Sequence, residues 1–401
     1  MALERSNFDD IALADLQNLS DSQIPESRYL EYKQENYQFE TIEARREFAK
    51  DVSAMANTGG GHLIIGMQAR DGLADALLGM PGFDADRDIL QLEQILLTGI
   101  EPRIYGLRIR ALRLPSSNYV VVIRIPRSFN PPHRVVVGGV NRFYLRNAAG
   151  CYEPSVDELR TLFTMTSDIQ DSMHQFLERR LDEFEHGPFY FIMNRESGIF
   201  MIHILPFGAF TQLTALAPDS VAPLRDHFRP PGAAHWDGRV NFDGYVFIRP
   251  GEPTHGYTQI FRNGIVEATK CEIVALQDGD RCIQGNVLIE DIVRSTKRYL
   301  AGLRELGVSP PFLIYISLLY VANTQLLLPD VHPGRLIRNS RARNSIVQSK
   351  LLLPPVEVTD YLDDAGYDRA LSPAMDAFVN AAGEMRCPYF NADGLFDIPR
   401  R

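Results

Sequence analysis

A change of hydrophobic period around a run of glycines is the feature that most constrains the fold. The stretch YLEYK alternates in character and predicts a strand. Between Thr41 and Asn57 the apolar residues Phe48, Val52 and Met55 recur at helical spacing, and this helix ends at NTGGG. A buried strand, HLIIGM, follows directly. Strand, helix and strand in this order predict a domain that mixes the two kinds of element.

The length of the chain predicts more than one such domain. It has 401 residues, of which 45% are hydrophobic, and this suggests two or three domains. We predict a polar, acidic arm over residues 1–24, a first domain over residues 25–167 and a second over residues 168–401. The second domain mixes strands with a helix from about Leu288 to Leu306, and its sequence does not indicate a role. The predicted fold class is therefore α+β.

Charge and cysteine content bear on the compartment and on metals. The formal net charge is -10, which argues against a protein coated uniformly in cation. The four cysteines lie far apart, so neither zinc binding nor disulfides are predicted, and a reducing cytoplasm is the expected location. We see no signal peptide. The most apolar run, from Pro310, is shorter than the roughly 20 residues that cross a bilayer, so no membrane association is predicted.

Two glutamates near the first predicted strand are candidates for chemistry. Glu26 and Glu31 lie five residues apart, with Lys33 two places further on. On a straight strand or one helix such residues do not converge, so the carboxylates meet only if the chain turns, as Pro25 and Ser27 favour. Two convergent carboxylates can hold Mg²⁺ or Mn²⁺, and a neighbouring lysine can contact phosphate. The alternative is that Glu31 and Lys33 simply form a solvated ion pair.

The segment between Pro102 and Gly150 is strongly cationic. It contains nine arginines and no Asp, Glu or Lys, so its formal charge is +9. Guanidinium groups suit phosphate, and an interleaved tyrosine offers a stacking surface for a base. The candidate nucleic-acid-binding residues are Arg108, Arg110, Arg124, Arg142, Tyr144 and Arg146. The alternative is a solvent face, or a contact with the acidic part of this protein or of a second copy in a homo-oligomer.

The glycine run is not predicted to bind a nucleotide. Phosphate-binding loops place glycines before a helix, where free N–H groups point at the anion. Here the glycines follow a helix and lack the Lys-Ser/Thr ending of a P-loop. We therefore predict a tight turn from helix to strand and consider ATP binding unlikely on this geometry. Glycine also lets the backbone of another element approach closely, and that use stays open.

Three segments together resemble the signatures of the Schlafen AlbA-type domain. They are ESRYLEYK, FAKDVSAMANTGGGHLIIGM and NRFYLRNAAGCYEPSVDELRTLF, and they cover roughly residues 20 to 165. The resemblance implies an α+β domain with a mixed sheet and helices that contacts nucleic acid. Members of this family have been described as DNA-binding, and some animal relatives cut structured RNA with three acids.

The resemblance also implies roles for individual residues. The first two acids of the nuclease set carry over onto Glu26 and Glu31. The third falls where Ala69 stands, and Asp71 lies two residues later, so Glu26, Glu31 and Asp71 form the candidate metal set for Mg²⁺ or Mn²⁺. Glu26, Glu31 and Lys33 are the candidate catalytic residues, with Lys33 on the scissile phosphate.

The sequence leaves three hypotheses for function. We favour a nucleic-acid-binding protein of Schlafen AlbA type, acting on RNA or DNA, and a metal-dependent endoribonuclease is the enzymatic version of this hypothesis. The alternatives are a non-catalytic DNA-binding regulator and an interaction or structural protein. In the favoured hypothesis the arginine-bearing sheet lies beside the two convergent acids and forms one groove for a polyphosphate chain.

Overall fold

The structure is a computed structural model, and it describes residues 3, 8–35, 39–186, 197–211, 215–251, 255–328 and 341–398. The chain divides into two compact units, Met1–Gln170 and Asp171–Arg401. Each unit combines helices and strands, so the protein is of the α+β class as predicted. Among the residues described, no helix combines the length and the apolar character that a membrane crossing requires.

The division between the units lies close to the predicted boundary at residue 167. It falls inside a helix that runs from Val156 to His186. Residues 8–24, within the predicted N-terminal arm, are grouped with the first unit and include a short helix over Leu13–Asp21.

The described residues of the first unit form three complete α-helices and the start of a fourth. In the described residues its helices are α1 (Leu13–Asp21), α2 (Ile42–Thr58), α3 (Ala85–Gly99) and α4 (Val156–His186). Its strands are β1 (Leu30–Lys33), β2 (Gly61–Ile65), β3 (Met67–Arg70), β4 (Leu73–Leu77), β5 (Ile100–Glu101), β6 (Arg108–Arg113), β7 (Tyr119–Ile125), β8 (Arg134–Val135), β9 (Arg142–Phe143), β10 (Leu145–Asn147) and β11 (Gly150–Tyr152).

A mixed sheet with the order β1-β2-β7-β6 is the framework of this unit. Strand β1 runs parallel to β2, and the other neighbours are antiparallel. The remaining strands pair as β3-β4, β5-β8-β9 and β10-β11. Apolar side chains leave the main sheet on both faces, with Leu63 and Ile123 packing towards α2 and α3 and Ile64 and Val122 packing towards α1.

Helix α2 forms where the sequence predicts it. The side chain of Thr41 accepts a hydrogen bond from the amide of Ala44 and caps the N-terminus, which satisfies one of the free N–H groups there. Phe48 and Val52 are buried on the core side. The helix ends at Gly59, but this residue has a φ of -145°, and the left-handed conformation falls on Gly60, at 71°. The left-handed residue therefore comes one position after the C-cap.

The glycines after α2 let other backbone approach closely, which is the use that the sequence left open. A Cβ on Gly59 would lie 2.6 Å from the ring of Tyr29, and one on Gly61 would lie 2.3 Å from the Tyr29 carbonyl oxygen. A Cβ on Gly60 would lie 2.5 Å from the amide nitrogen of Arg127. The run is therefore a packing device that brings β1 and the end of β7 against the helix terminus.

The second unit contains the rest of α4 and three further helices in the residues described. These are α5 (Pro218–Val221), α6 (Gly285–Glu305) and α7 (Asp364–Asn380). Its strands are β12 (Ile199–Pro206), β13 (Asp237–Asn241), β14 (Gly244–Ile248), β15 (Gly256–Phe261), β16 (Val266–Cys271), β17 (Val274–Gln277), β18 (Asp280–Gln284), β19 (Phe312–Leu319), β20 (Thr324–Leu327), β21 (Arg341–Ile346), β22 (Lys350–Leu352) and β23 (Val356–Val358).

One large antiparallel sheet organises the second unit. Its order is β13-β14-β15-β16-β12-β19-β22, and β23 also pairs with β19. A smaller sheet has the order β17-β18-β20-β21. Ile202 and Ile316 of the large sheet pack with Ile292 of α6 and Phe378 of α7 in one core cluster. Helix α6 corresponds to the helix that the sequence predicts from Leu288 to Leu306.

Candidate nucleic-acid interface and acid cluster

The chain turns between Glu26 and Glu31, as the sequence predicts. Ser27 and Leu30 exchange backbone hydrogen bonds, and the amide of Tyr32 donates to Glu26 Oε1 at 3.1 Å. The amide of Glu26 in turn donates to the carbonyl of Gly72 at 2.7 Å, which fixes the turn against the β3-β4 connection. The Glu26 carboxylate is therefore held by the same short segment that carries Glu31.

Two cations contact the carboxylate of Glu31. Lys33 Nζ lies 2.9 Å from Glu31 Oε1, and the guanidinium of Arg146 forms an ion pair with Oε2. The side chain of Glu31 is only 12% exposed, and that of Arg146 only 6%. The alternative of a solvated pair between Glu31 and Lys33 therefore describes the contact itself. It does not describe the environment, because the buried guanidinium of Arg146 also pairs with Glu31.

Asp51 on α2 also contacts Lys33, and sequence reasoning missed it. We call Glu26, Glu31, Lys33, Asp51, Arg146 and Cys151 the acid cluster. Asp51 Oδ2 lies 3.7 Å from Lys33 Nζ, and its Oδ1 accepts from the thiol of Cys151 at 3.7 Å. The sequence did contain a clue to the burial of Asp51, because this residue lies among the apolar residues of α2, three positions after Phe48 and one before Val52. An acid on the apolar side of an amphipathic helix needs a buried partner.

Burial and charge shift several pKa values within the cluster. Burial, together with the nearby charge of Glu31, raises the pKa of Glu26, although the hydrogen bond from Tyr32 opposes this effect. Burial acts to lower the pKa of Lys33, but Asp51 and Glu31 outweigh it and hold that pKa above its ordinary value. Burial raises the pKa of the Cys151 thiol to about 11, so it stays protonated at neutral pH. The cluster thus holds Lys33 firmly charged.

The proposed metal set does not fit a metal ion in this arrangement. The part of the chain that the structure describes contains no group of three or more His, Cys, Asp or Glu side chains arranged to hold one, and Glu26, Glu31 and Asp71 all lie in that part. Asp71 lies in the exposed turn between β3 and β4, with a φ of 51°. Both oxygens of Glu31 already contact cations.

The arginines of β6 and β7 lie on the opposite face of the main sheet from Glu31. The register pairs Glu31 with Leu63, whereas Arg124 is paired with both His62 and Arg108. Because paired residues share a face and successive residues alternate, Arg108 and Arg124 point away from Glu31. Arg110 lies on the same side as Arg108, as predicted. The single groove expected between the arginine sheet and the two acids is therefore not formed, since the sheet itself separates them.

The N-terminal segment covers this arginine face. Arg108 Nη2 lies 3.1 Å from Asp9 Oδ1, and Arg110 donates to the carbonyls of Asp9 and Ile11. Arg124 donates from Nε to His62 Nε2 at 3.1 Å. These contacts match the alternative that the cationic segment packs against acidic residues of the same protein.

Arg142 on β9, Arg146 on β10 and Tyr144 between these strands lie in different environments. Arg142 is exposed, forms an ion pair with Glu153 and hydrogen-bonds Tyr144, and the charge of Glu153 is the main cause of its raised pKa. Tyr144 is partly buried beside the core of the first unit. Arg146 is buried and also donates from Nε to the carbonyl of Ser27 at 3.3 Å. Only the first two residues of this predicted trio are open to a ligand.

The fold and the site place the first unit among α+β domains built on a mixed sheet. Residues 26–155 match the family model described as Schlafen, AlbA_2, and this part of the chain is a Schlafen AlbA-type domain. That family suggests a nucleic-acid-related function.

Two further comparisons add no functional detail. A search of curated proteins returned no match. Among solved structures, the chain is similar to the DIP2311 protein from Corynebacterium diphtheriae at 17% identity and a TM-score of 0.27. The similarity covers 54% of this chain and 33% of that one, so the chain spans about a third of the length of that protein.

Proposed function

We propose that this protein binds the phosphate backbone of RNA or DNA through its Schlafen AlbA-type domain. The observation that carries the proposal is the family match over residues 26–155. The proposed contact surface consists of Arg142 and Tyr144, of Lys33 on β1, which lies between Glu31 and Asp51, and of Lys50 on α2, which lies near Cys151 of β11. We call these four residues the ribbon surface, because they flank the ribbon formed by β10 and β11.

The ion pair of Arg142 favours exchange for a phosphate. Both Arg142 and Glu153 are more than half exposed, and exposed ion pairs contribute at most about 1 kcal/mol. A phosphate oxygen can replace the Glu153 carboxylate at little cost, and the guanidinium binds it with two parallel N–H groups. Tyr144, which contacts Arg142, supplies an aromatic ring on which a base can stack.

Acidic side chains hold the lysines of the ribbon surface in place. Lys33 lies between Glu31 and Asp51, and Lys50 pairs with Glu47 on the exposed side of α2. Both lysines are partly exposed. Arg146 is buried and acts as a positioning residue, because its bonds to Glu31 and to the Ser27 carbonyl hold β10 against the turn before β1.

The arginines of β6 and β7 contribute to a separate surface in this proposal. Arg108, Arg110 and Arg124 already contact residues 8–11, His62 and the ring of Phe8. Nucleic acid reaches them only if the N-terminal segment moves or if phosphate competes with Asp9. We therefore expect substitutions on this face to weaken binding less than substitutions on the ribbon surface.

The proposal is for binding and does not include cleavage. Phosphoryl transfer with a resident metal needs acidic ligands that converge on one ion. Glu26, Glu31 and Asp71 do not form such a group, and the two oxygens of Glu31 contact Lys33 and Arg146.

A salt titration of binding tests the proposal. Labelled single-stranded RNA and DNA and their duplexes are mixed with the full chain at several salt concentrations, and the logarithm of the affinity should fall linearly with that of the salt. Replacing Arg142 and Lys33 together by Ala should weaken binding several-fold and make the slope shallower. The matched control is Arg160→Ala, because Arg160 is also an exposed arginine with an acidic partner, Asp157.

The outcome also separates the alternatives. No salt-dependent binding of any of the four nucleic acids, or equal loss in the ribbon-surface variant and in Arg160→Ala, would overturn the proposal. An interaction protein whose arginines dock on a second copy would instead show an oligomer that dissociates with salt and whose formation requires the same arginines.

A further inference from the structure

A cluster of guanidinium groups around the single tryptophan stands out in the second unit. Trp236 lies just before β13, and the guanidinium carbons of Arg225 and Arg229 lie 5.3 and 5.6 Å from the centre of its ring. Arg225 is exposed, and Arg229 and Trp236 are partly exposed. Arg298 of α6 joins them, since its Nη2 donates to the Arg229 carbonyl at 2.9 Å. We call these four residues the tryptophan cluster.

The backbone of the cluster is firmly anchored. Phe228 is fully buried and stacks between the rings of Phe247 and Tyr299, at centroid distances of 6.5 and 6.3 Å. Gly302 of α6 makes room for it, because a Cβ there would lie 2.7 Å from the Phe228 ring. The hydroxyl of Tyr299 also donates to the carbonyl of Arg229 at 2.9 Å. The side chains of the cluster therefore project from a preorganised segment.

Arg298 has carbonyl partners where an acid would be expected. Its Nε donates to the His227 carbonyl at 3.2 Å, and Nη2 also donates to Ser295 Oγ at 3.2 Å. Burial lowers its pKa, and the neighbouring positive charge of Arg229 acts in the same direction. Arg298 thus holds the segment in place, and the charge of Asp291 partly offsets its own.

The cluster carries an excess of positive charge. In the described part of the chain, none of Arg225, Arg229 and Arg298 forms an ion pair with a carboxylate, although the acids next in sequence, Asp226 and Asp237, are exposed. The other charged groups nearby pair among themselves, as His227 does with Glu305 and Lys270 with Asp291. This contrasts with Arg108, Arg134, Arg142 and Arg146 of the first unit, which pair with acids.

Two donors of the cluster also lack an acceptor. Trp236 Nε1 and Arg229 Nε have no hydrogen-bond partner among the residues that the structure describes. Native proteins rarely leave buried N–H groups unpaired, so such groups point to a ligand or water that accepts from them. Arg225 and Arg229, which form no ion pair with a carboxylate in the described residues, and the two unpaired donors together favour an anion with several acceptor oxygens.

We propose that the tryptophan cluster is a phosphate-binding site that accepts the phosphate of a nucleotide or of a nucleic-acid strand. Arg225 and Arg229 bind the phosphate oxygens, because the planar guanidinium matches phosphate geometry. Arg298 and Phe228 position the segment. The site lies in the second unit and uses none of the residues of the ribbon surface, so it goes beyond the function proposed for the first unit.

Trp236 makes the test direct, because it is the only tryptophan of the chain. The full chain is titrated with inorganic phosphate, with a nucleoside monophosphate and with a short single-stranded oligonucleotide, each against sodium chloride of equal ionic strength, while tryptophan emission is recorded. We expect a saturable change with at least one phosphate-bearing probe and none with chloride. The probe that binds most tightly identifies the source of the phosphate.

Matched variants separate this site from general charge effects. Arg229→Gln should weaken the binding at least about tenfold, which is about 1.4 kcal/mol. Arg179→Gln is the control, because Arg179 also lies over an aromatic ring, that of Phe176 at 5.5 Å, but has a carboxylate partner in Glu183. Arg225→Gln, in an exposed side chain, repeats the test where a folding defect is not expected.

The outcomes of these titrations support or overturn a phosphate site at the tryptophan cluster. Loss of the binding detected by tryptophan emission in the Arg229 and Arg225 variants, with wild-type behaviour of Arg179→Gln, supports the site. Inorganic phosphate and the nucleoside monophosphate make this result independent of nucleic-acid binding at the ribbon surface. No saturable change with any of the three probes, confirmed by calorimetry on the same protein, would overturn it. Equal weakening by Arg179→Gln would overturn it as well.

Discussion

The guanidinium of Arg146 forms an ion pair with the carboxylate of Glu31, although 115 residues separate the two in the sequence. Both side chains are almost fully buried, and Lys33 lies beside the second carboxylate oxygen. Because Arg146 belongs to β10 and Glu31 to β1, the pair ties the β10-β11 ribbon to the edge of the main sheet. Glu31, which the sequence assigned to catalysis, and Arg146, which it assigned to nucleic-acid binding, are thus partners of each other.

Removing Arg146 should destabilise the first unit. Breaking a buried ion pair on one side costs about 3–5 kcal/mol, and Lys33 still compensates Glu31, so we expect Arg146→Met to cost about 3 kcal/mol of unfolding free energy. Urea unfolding followed by circular dichroism measures this. In the control Arg142→Met, which removes an exposed pair, the loss should stay below about 1 kcal/mol. Equal losses in the two variants would contradict the assigned role of Arg146.

The order of strands, helices and turns around the site could be predicted from the sequence, because each element depends on residues that are close together in the chain. Alternation in YLEYK predicts β1, and the spacing of Phe48, Val52 and Met55 predicts α2. Pro25 and Ser27 indicate the turn before β1, and the glycines indicate the end of α2. Each of these features depends on neighbours within a few residues, and each is present in the structure.

The partners of the charged residues could not be predicted in the same way. Arg108 meets Asp9 across 99 residues, and a one-residue change of strand register would turn it to the other face. Register follows from the packing of the whole sheet, which a single sequence does not reveal. The sequence alone therefore suggested one cationic surface for the nine arginines, whereas in the structure Arg108 and Arg142 occupy different surfaces. Asp51 was missed for a different reason, since only its place in the helical stripe marked it.

The raised pKa of Glu26 predicts a pH-dependent stability. A carboxyl that is harder to ionise when folded binds its proton more tightly there, so its ionisation destabilises the fold as pH rises above the ordinary value of 4.5. Glu26→Gln should therefore be more stable than the wild type at pH 7, and the difference should vanish below pH 4.5. Urea midpoints across this range measure the effect. A difference that persists at low pH would contradict the electrostatic origin.

Glu158 serves as a control for Glu26, because its pKa is shifted in the opposite direction. Hydrogen bonds from the backbone and hydroxyl of Ser155, with a further one from Tyr152, lower the pKa of Glu158. The ionised form is therefore favoured by folding, and its contribution is present above pH 4.5 and is lost as pH falls through the lowered pKa. Glu158→Gln should be less stable than the wild type at pH 7 and should match it at low pH. The two variants should thus diverge in opposite directions.

Asn57, in the last turn of α2, has a structural role that can be tested. Its amide donates to the carbonyls of His133 and Tyr144 at 2.9 and 3.0 Å, and its oxygen accepts from the His133 amide at 2.7 Å. Asn57→Ala leaves buried backbone groups unpaired and should cost about 2–4 kcal/mol. Asn118→Ala removes one bond, to Leu78, and should cost about 1 kcal/mol. Thermal unfolding of both variants checks the difference, and a near-neutral Asn57→Ala would contradict it.

Metal-dependent cleavage is a separate prediction, and we expect it to be absent. Labelled structured RNA and DNA incubated with Mg²⁺ or Mn²⁺ should remain intact, because Glu31 contacts Lys33 and Arg146 and no acidic trio forms around it in the described residues. Chelation should leave binding unchanged. Cutting that requires a metal and is abolished by Glu31→Gln, with folding intact, would instead establish the endonuclease hypothesis and show that the acid cluster rearranges when substrate binds.

The competition between Glu153 and phosphate for Arg142 gives the last prediction. If Arg142 contacts nucleic acid, its ion pair must be broken on binding, and this cost disappears when Glu153 is neutralised. Exposed pairs contribute about 0.2–1 kcal/mol, so Glu153→Gln should tighten binding of RNA or DNA by up to about fivefold. The gain should shrink at high salt, where the wild-type pair is already screened. Fluorescence anisotropy with a labelled oligonucleotide measures both effects.

A matched substitution distinguishes this mechanism from a general reduction of negative charge. Asp157→Asn also removes an exposed acid and also frees an arginine, Arg160, on α4. It changes the net charge by the same amount as Glu153→Gln but lies outside the ribbon surface. Binding should therefore tighten in Glu153→Gln and stay close to wild type in Asp157→Asn. Equal tightening in both would mean that overall charge, and not the position of Arg142, governs the affinity.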